Sequence, residues 1–221
     1  MAKTVAAPIR HVDKGVPLGA FASEAIVVCP KCSGPAVVKS ESKYLIPFQP
    51  QHSRLVCLRC PFHVGGEDAG WFGPGMGVAK ERCPNCGYKW LEARHRRRSI
   101  KEQGRRWAVV ACPECTKPTK LLLHWRVSRY GAAADPAFGL PLWLQISCRG
   151  ETLWAYNAAH LQALREYIAA ELRERIGVMQ WSVFSRLPRW MTARKNRVSI
   201  LDSMKRLERK LPKVNRAIRS L

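Results

Sequence analysis

The chain has 221 residues, 47% of them hydrophobic, and 38 Lys and Arg against 16 Asp and Glu give a formal net charge of +22. No apolar run reaches the roughly 18 residues of a membrane span, and the first 28 residues lack the apolar stretch of a secretory signal. We therefore expect no membrane association and a reducing, intracellular location, the cytoplasm. A chain this basic attracts polyanions, of which nucleic acid is the commonest.

Changes in composition and the positions of glycine and proline divide the chain into five predicted segments. Residues 1–24 are predicted to be a flexible arm, and residues 25–64 form a first cysteine-bearing module. Residues 65–79 are rich in glycine and are predicted to be a linker, although Trp71 and Phe72 within it should tuck onto a neighbouring module. A second module covers 80–126, and a β-hairpin with a basic helical region occupies 127–221.

Short apolar runs predict strands on either side of the cysteines in both modules. In module one these runs are 26–28, 36–38, 44–46 and 55–56. In module two, an apolar stretch through Trp90 and Leu91 precedes a basic tip, and the run 107–111 enters the last cysteine pair before a strand at 121–123. Trp90 and Trp107 are expected to supply apolar burial beside the cysteines.

The C-terminal part changes from strand to helix patterning. Runs at 142–146 and 152–156 predict a hairpin that turns at Arg149-Gly150. Asn157 can cap a helix over 158–176 that Gly177 closes, and a second helix is predicted over 198–211. The predicted fold class is therefore α+β: two small β modules, a β-hairpin and a C-terminal α-helical region.

Eight of the nine cysteines form four Cys-x-x-Cys pairs, the most specific feature of the chain. Two such pairs about 25 residues apart supply four thiolates, which make a closed tetrahedral zinc site with no position open to substrate. In a reducing compartment this pattern favours metal over disulfides. The pairs are Cys29/Cys32, Cys57/Cys60, Cys83/Cys86 and Cys112/Cys115.

The segments Cys29-Pro30-Lys31-Cys32 and Cys83-Pro84-Asn85-Cys86-Gly87-Tyr88 resemble the knuckles of zinc-ribbon and rubredoxin-like modules. The resemblance covers roughly residues 26 to 126 and implies tandem four-cysteine ribbons that hold two Zn²⁺ per chain. Ribbons of this kind commonly bind nucleic acid or dock on another protein, and the resemblance does not choose between these roles.

Several alternatives stay open at the cysteines. Matching intervals favour pairing the first with the second pair and the third with the fourth, but a middle or interleaved pairing is compatible with the sequence. Iron is the other candidate metal, because rubredoxin uses the same four sulfurs. Cys148 is predicted to be a half-buried structural thiol, and His63 is the one histidine to test as a ligand.

An arginine-rich run at 94–106 is predicted to form the exposed tip of the second ribbon. Like charges at such density repel one another without a counter-anion, and arginine suits forked contacts to phosphate. The predicted nucleic-acid contacts in this run are Arg94, Arg96, Arg97, Arg98, Lys101, Arg105 and Arg106.

A second basic surface is predicted in the C-terminal third. On the helix over 198–211 the cations lie off the apolar stripe, so one face can pack while the other tracks phosphate. Trp190 is flanked by arginines and is the predicted base-stacking residue. The predicted contacts here are Arg189, Trp190, Arg194, Lys205, Arg206, Arg209 and Lys210.

Two hypotheses for function follow. The first is a zinc-binding, non-enzymatic protein that contacts the phosphate backbone of DNA or RNA. The second is an adaptor subunit of a larger nucleoprotein machine, such as a polymerase, ribosome or mobile-element complex, on which the ribbons and the apolar hairpin at 140–156 dock. Catalysis is not expected, because the chain lacks a His-Glu-x-x-His motif, a phosphate-binding Gly-Lys-Ser/Thr loop and a Gly-x-Ser-x-Gly motif.

Overall fold

The computed structural model describes residues 8–41, 48–66, 69–98, 106–128, 133–175 and 181–212. Antiparallel strands in small sheets and a C-terminal helix confirm the mixed α+β class. The strands are β1 (Arg10–Asp13), β2 (Glu24–Val28), β3 (Pro35–Ser40), β4 (Ser53–Cys57), β5 (His63–Gly65), β6 (Gly75–Glu81), β7 (Leu91–Arg97), β8 (Trp107–Ala111), β9 (Pro118–Leu122), β10 (His124–Val127), β11 (Gln145–Cys148), β12 (Glu151–Trp154) and β13 (Leu172–Arg175). The α-helices are α1 (Leu18–Ala22), α2 (Ala158–Ala169), α3 (Arg189–Thr192) and α4 (Arg197–Arg209).

The chain divides into two compact units. Unit 1 comprises Met1–Ala69, Ala133–Ala137 and Pro141–Leu221, and unit 2 comprises Gly70–Ala132 and Phe138–Leu140. Module one and the C-terminal region therefore belong to the same unit, while the five-segment division remains a prediction. The predicted strand at 44–46 lies outside the described residues.

In unit 1, an antiparallel sheet in the order β2-β3-β4-β5 carries the first two cysteine pairs. The free edge of β2 is covered from the C-terminal part, because the N–H of Ile26 donates to Tyr156 O at 2.7 Å and the N–H of Trp143 donates to Ile26 O at 2.9 Å. The backbone N–H of Val28 likewise donates to Pro141 O at 2.8 Å. These bonds satisfy the edge strand and join module one to the C-terminal part within unit 1.

The main core of unit 1 lies between the β11–β12 hairpin, α2 and α4. The hairpin turns at Arg149 and Gly150, whose φ angles of 56° and 82° match a two-residue turn with both central residues left-handed, as predicted. Its inward apolar residues and those of both helices form one buried cluster, which includes Leu144, Leu153, Leu161, Leu164, Ile168, Ile200, Met204 and Leu207.

The predicted helix over 158–176 is wrong at its C-terminal end. Helix α2 stops at Ala169 because Ala170 adopts an extended ψ of 135°, and Leu172–Arg175 instead form β13. Leu172, an apolar residue within the predicted helix, is 41% exposed. Ile176 and Gly177, the predicted end of the helix, lie outside the described residues.

The partner of β13 is β1, in the segment predicted to be a flexible arm. The two strands pair in parallel, from Arg10 opposite Leu172 to Asp13 opposite Arg175. Asp13 is buried, and its carboxylate accepts hydrogen bonds from the Gly15 N–H at 2.9 Å and the Ser182 hydroxyl at 2.8 Å. The described part of the arm is thus ordered by backbone pairing and by a satisfied buried carboxylate.

Unit 2 contains a three-stranded sheet in the order β10-β6-β7 and the β8–β9 hairpin. One buried cluster of unit 2 surrounds the second cysteine group and contains, among the described residues, Ala79, Cys83, Leu91, Cys112, Leu121 and Leu123. Part of the predicted glycine-rich linker belongs to this fold, since β6 begins at Gly75. Trp71, also in that linker, packs against Gly139, where a Cβ would come within 2.4 Å of the indole.

We expect Asn157→Ala to lower the free energy of unfolding of unit 1 by about 2–3 kcal/mol. Its side chain accepts from the His160 N–H at 2.9 Å to cap α2, and its amide donates to the carbonyls of Phe21 and Glu24 at 2.9 and 2.7 Å. Chemical denaturation measures the change. Gln162→Ala, on the exposed face of the same helix, is the control and should change stability by less than about 0.5 kcal/mol. Equal losses in the two variants would contradict the assigned role.

Candidate metal centres and basic surface

The Cys-x-x-Cys knuckles share a backbone conformation that points both sulfurs of a pair toward one place. In three of them the residue four positions after the first cysteine is left-handed, with φ of 57° at Ser33, 74° at Gly87 and 59° at Thr116. Its N–H donates to the carbonyl of that first cysteine at 2.9–3.0 Å. The first N–H of each knuckle in turn donates to a carbonyl five residues ahead, as from Cys83 to Tyr88 at 2.9 Å.

The eight sulfurs gather into two groups of four. Cys29, Cys32, Cys57 and Cys60 form one group and Cys83, Cys86, Cys112 and Cys115 the other, with all Sγ atoms of a group within 4.8 Å of one another. This arrangement confirms the sequential pairing and excludes the middle and interleaved ones. Both groups can hold a metal ion, and the geometry is consistent with zinc-ribbon-like modules.

The sulfur spacing fits a tetrahedral thiolate site. Four sulfurs at about 2.3 Å from a central ion lie about 3.8 Å from one another. The Sγ–Sγ distances are 3.9 Å for Cys29–Cys60, 3.5 Å for Cys32–Cys57, 3.7 Å for Cys83–Cys115 and 3.6 Å for Cys86–Cys112. These distances are far longer than the 2.05 Å or so of a disulfide, and all eight cysteines are free thiols.

Backbone N–H groups favour the thiolate form of one cysteine in each group. Burial raises the pKa of Cys57, but the N–H groups of Arg59 and Cys60 outweigh it and lower the pKa to about 7. At Cys83 the hydrogen bond from the N–H of Cys86 is the largest influence. Together with the N–H of Asn85 it outweighs burial and lowers the pKa of Cys83 to about 6. Such N–H donors are the surroundings that a metal-bound thiolate requires.

The two other candidate ligands lie outside these groups. His63 is exposed, and its Nδ1 lies 3.1 Å from Pro61 O. Cys148 is buried in the main core of unit 1, where its Sγ lies 3.9 Å from the Ser199 hydroxyl. The prediction of a half-buried thiol is wrong, because Cys148 is buried, and its structural role stays a prediction.

Strand alternation splits the arginine run in two. Arg94 and Arg96 on β7 point outward and Arg98 is exposed, whereas Arg97 is half-buried with its guanidinium 5.0 Å from the Trp125 ring centroid. Most of the predicted tip, including Lys101 and Arg105, lies outside the described residues, and Arg106 is exposed beside Trp107. The two-residue period of a strand thus places Arg97 on the other face from Arg94 and Arg96.

The sequence analysis missed the third strand of this surface. Strand β10 pairs with β6, and the register sets Arg126 opposite Met76, which itself lies opposite Arg96. Arg126 and His124 are exposed, so they join Arg94 and Arg96 on one side of the sheet. We call this surface, with Met76 and Val78 at its centre, the arginine face. The pairing of a strand with one 40 or more residues away left no local signal.

The predicted C-terminal contacts belong to unit 1. Trp190 is half-buried against the main core, and its carbonyl accepts a hydrogen bond from Asn196 at 2.8 Å, while its stacking role remains a prediction. The cations of this set are all exposed: Arg189, Arg194, Lys205, Arg206, Arg209 and Lys210.

The tryptophans beside the cysteines differ from the expectation of burial. Trp90 is 50% exposed and Trp107 is 40% exposed. The small core of unit 2 is filled without their rings, mainly by leucines and the cysteines.

Comparison with protein-family models, with curated proteins and with solved structures found no match for this chain. None of the helices in the described part of the chain has the length and apolarity that crossing a bilayer requires. Functional inference therefore depends on the cysteine groups and on the surfaces of the two units.

We expect purified protein to contain about two metal ions per chain, one for each four-cysteine group. Cys57→Ser and Cys83→Ser should each lose one ion, because each removes a sulfur from a different group. Elemental analysis by mass spectrometry measures the content. Cys148→Ser is the matched control and should retain both ions. The assignment would be contradicted if the wild-type protein contained no metal. It would also be contradicted if Cys148→Ser lost an ion while Cys57→Ser and Cys83→Ser kept both.

Proposed function

We propose that the protein is a zinc-binding, non-enzymatic nucleic-acid-binding protein that contacts the phosphate backbone of DNA or RNA in a reducing compartment. The observation that carries this proposal is the arginine face of unit 2. The proposal assigns no catalytic step, because a four-thiolate site leaves no coordination position for substrate.

The arginine face suits a polyanion by charge and by spacing. Arg94 and Arg96 are two residues apart on one strand, which separates their Cα atoms by about 7 Å. Arg126 lies two strands away from Arg96, a separation of about 10 Å. Fixed guanidinium groups at such distances repel one another, and a row of phosphates relieves that repulsion while accepting forked hydrogen bonds.

One carboxylate lies beside this face and is already engaged. Glu92 pairs with Lys80 at 2.8 Å and approaches Arg94 at 3.9 Å, and the hydrogen bond and charge of Lys80 lower its pKa. Glu92 therefore offsets part of the charge at one end, near Lys80, and leaves Arg96 and Arg126 for an external anion.

Zinc is the proposed metal because four thiolates in tetrahedral array match its ligand preference and because the sites are closed. The metal would act structurally. In unit 2 the metal would hold together the loop that precedes β7 and the loop that follows β8. The strand that carries Arg94 and Arg96 would then be held rigidly.

Helix α4 is the proposed second contact. Its apolar residues Ile200, Met204 and Leu207 are buried. The exposed cations here are Lys205, Arg206, Arg209 and, directly after the helix, Lys210. Two of these cations have protein partners: Lys205 pairs with Asp202 at 3.4 Å, and the Lys210 ammonium donates to Gln145 O at 3.0 Å. Arg206 and Arg209 are therefore the stronger candidates on this helix.

Replacing Arg94, Arg96 and Arg126 together by alanine should weaken binding to all sequences and lower the salt dependence of the affinity. Each lost phosphate contact reduces the slope of log K against log[salt] by about 0.7–0.9. Fluorescence anisotropy with labelled oligonucleotides at two or more salt concentrations measures both effects.

A variant with Arg10 and Arg165 changed to alanine is the control, and it removes two positive charges where the test variant removes three. Both side chains already pair within unit 1, with Glu174 at 2.9 Å and Glu208 at 3.1 Å. The control should bind as the wild type does. Unchanged affinity in the triple variant at moderate salt would refute the role of the arginine face.

The adaptor hypothesis is favoured by one specific observation, an open groove on unit 1. The groove has a volume of about 770 Å³, and among its lining residues Ile9, Val12 and Val16 are exposed apolar side chains. In the hairpin at 140–156, which is predicted to dock, Leu144 and Leu153 are buried in the core of unit 1. An isolated chain that fails to bind DNA or RNA and aggregates unless a partner is supplied would favour this second function.

A further inference from the structure

Two tryptophan side chains of unit 2 are about half exposed, although the buried cluster of this unit is small. Trp90 is 50% exposed directly before β7, and Trp107 is 40% exposed at the start of β8. A third tryptophan shows how the fold uses an indole structurally. Trp125 lies against Gly75 and Gly77, where a Cβ on Gly77 would meet the ring at 3.0 Å.

A cation lies over each of the two exposed rings. The Lys80 ammonium is 4.5 Å from the centroid of the Trp90 ring. At Trp107, the Lys120 ammonium is 5.0 Å and the Arg106 guanidinium 5.6 Å from the ring. A cation over an exposed indole contributes only about 0.5–1 kcal/mol, so the fold gains little from exposing these rings.

Positively charged and apolar side chains lie around both exposed tryptophan rings. Trp90 extends the outward row of β7 that carries Arg94 and Arg96. On the β8–β9 hairpin, Trp107 lies opposite Leu122, and the next outward pair is Val109 opposite Lys120. Val109 is 72% exposed, so apolar surface and positive charge lie side by side here.

We propose that unit 2 binds single-stranded nucleic acid, with unpaired bases stacked on Trp90 and Trp107 and phosphates held by Lys120 and the arginine face. This inference rests on the proposed function and specifies its target. In a duplex the faces of the bases are already stacked on one another, so no base face is free to stack on these indoles. A single strand offers both a base face for an indole and a phosphate for a nearby cation.

The test compares Trp90→Ala, Trp107→Ala and the double variant on labelled single-stranded and duplex oligonucleotides of the same sequence. Each replacement should weaken single-strand binding about tenfold, the double variant more, and duplex binding by less than about twofold. Trp181→Ala is the matched control, because Trp181 is 63% exposed with the Arg186 guanidinium 4.8 Å from its ring but lies in unit 1. Its affinity should match that of the wild type.

A second measurement needs no altered protein. Ultraviolet irradiation of the wild-type chain with single-stranded DNA containing bromouracil should crosslink Trp90 or Trp107, as identified by peptide mass spectrometry. Metal content checks that each variant is folded.

The outcomes separate this inference from the proposed function. Wild-type protein that binds neither form of nucleic acid overturns both. Suppose that the arginine variant binds more weakly, but that both tryptophan variants bind single strands as the wild type does and no crosslink forms. That result retains the phosphate contacts and overturns the stacking, and so does tighter binding to duplex than to single strands.

Discussion

In unit 2 the cysteine side chains take over much of what a hydrophobic core does in a larger domain. Among the residues that the structure describes, the buried cluster beside the second cysteine group has six members, and Cys83 and Cys112 are two of them. So small a core offsets little of the conformational entropy lost on folding, and domains of this kind usually need a disulfide or a metal. The Sγ–Sγ distances of 3.6 and 3.7 Å bring the four sulfurs to the separation at which one ion can bind them all.

Rigid mounting explains how unit 2 tolerates its surface charge. Arg94, Arg96 and Arg126 face solvent together because β6 pairs with both β7 and β10. Free side chains would diverge to lower their repulsion, but the backbone ladder fixes their Cα positions. Arg97 lies on the opposite side over Trp125, where it contributes to packing instead of to the charged surface. The same run of sequence thus supplies both a structural cation and surface cations.

Unit 1 is assembled from segments that are distant in the chain. Strand β2 has its edge covered by residues 141–156, and β13 finds its partner in β1 near the N-terminus. Both pairings add what local patterns do not show: module one makes backbone bonds to the C-terminal part, and the helix after Asn157 is shorter than predicted. A strand partner at β1 gives residues 172–175 backbone hydrogen bonds that compete with one more helical turn.

The sequence by itself determined the cysteine chemistry, the α+β class, the hairpin at Arg149-Gly150 and helix α4, because each depends on spacing within a short stretch. Tertiary structure alone decided the end of α2, the ordering of residues 10–22, the place of Arg126 on the arginine face and the exposure of Trp90 and Trp107. Strand pairing between distant segments governs the first three, and a small core that is filled without the two indole rings accounts for the fourth. Such pairing depends on which edges remain unsatisfied after local folding, and no local pattern records it.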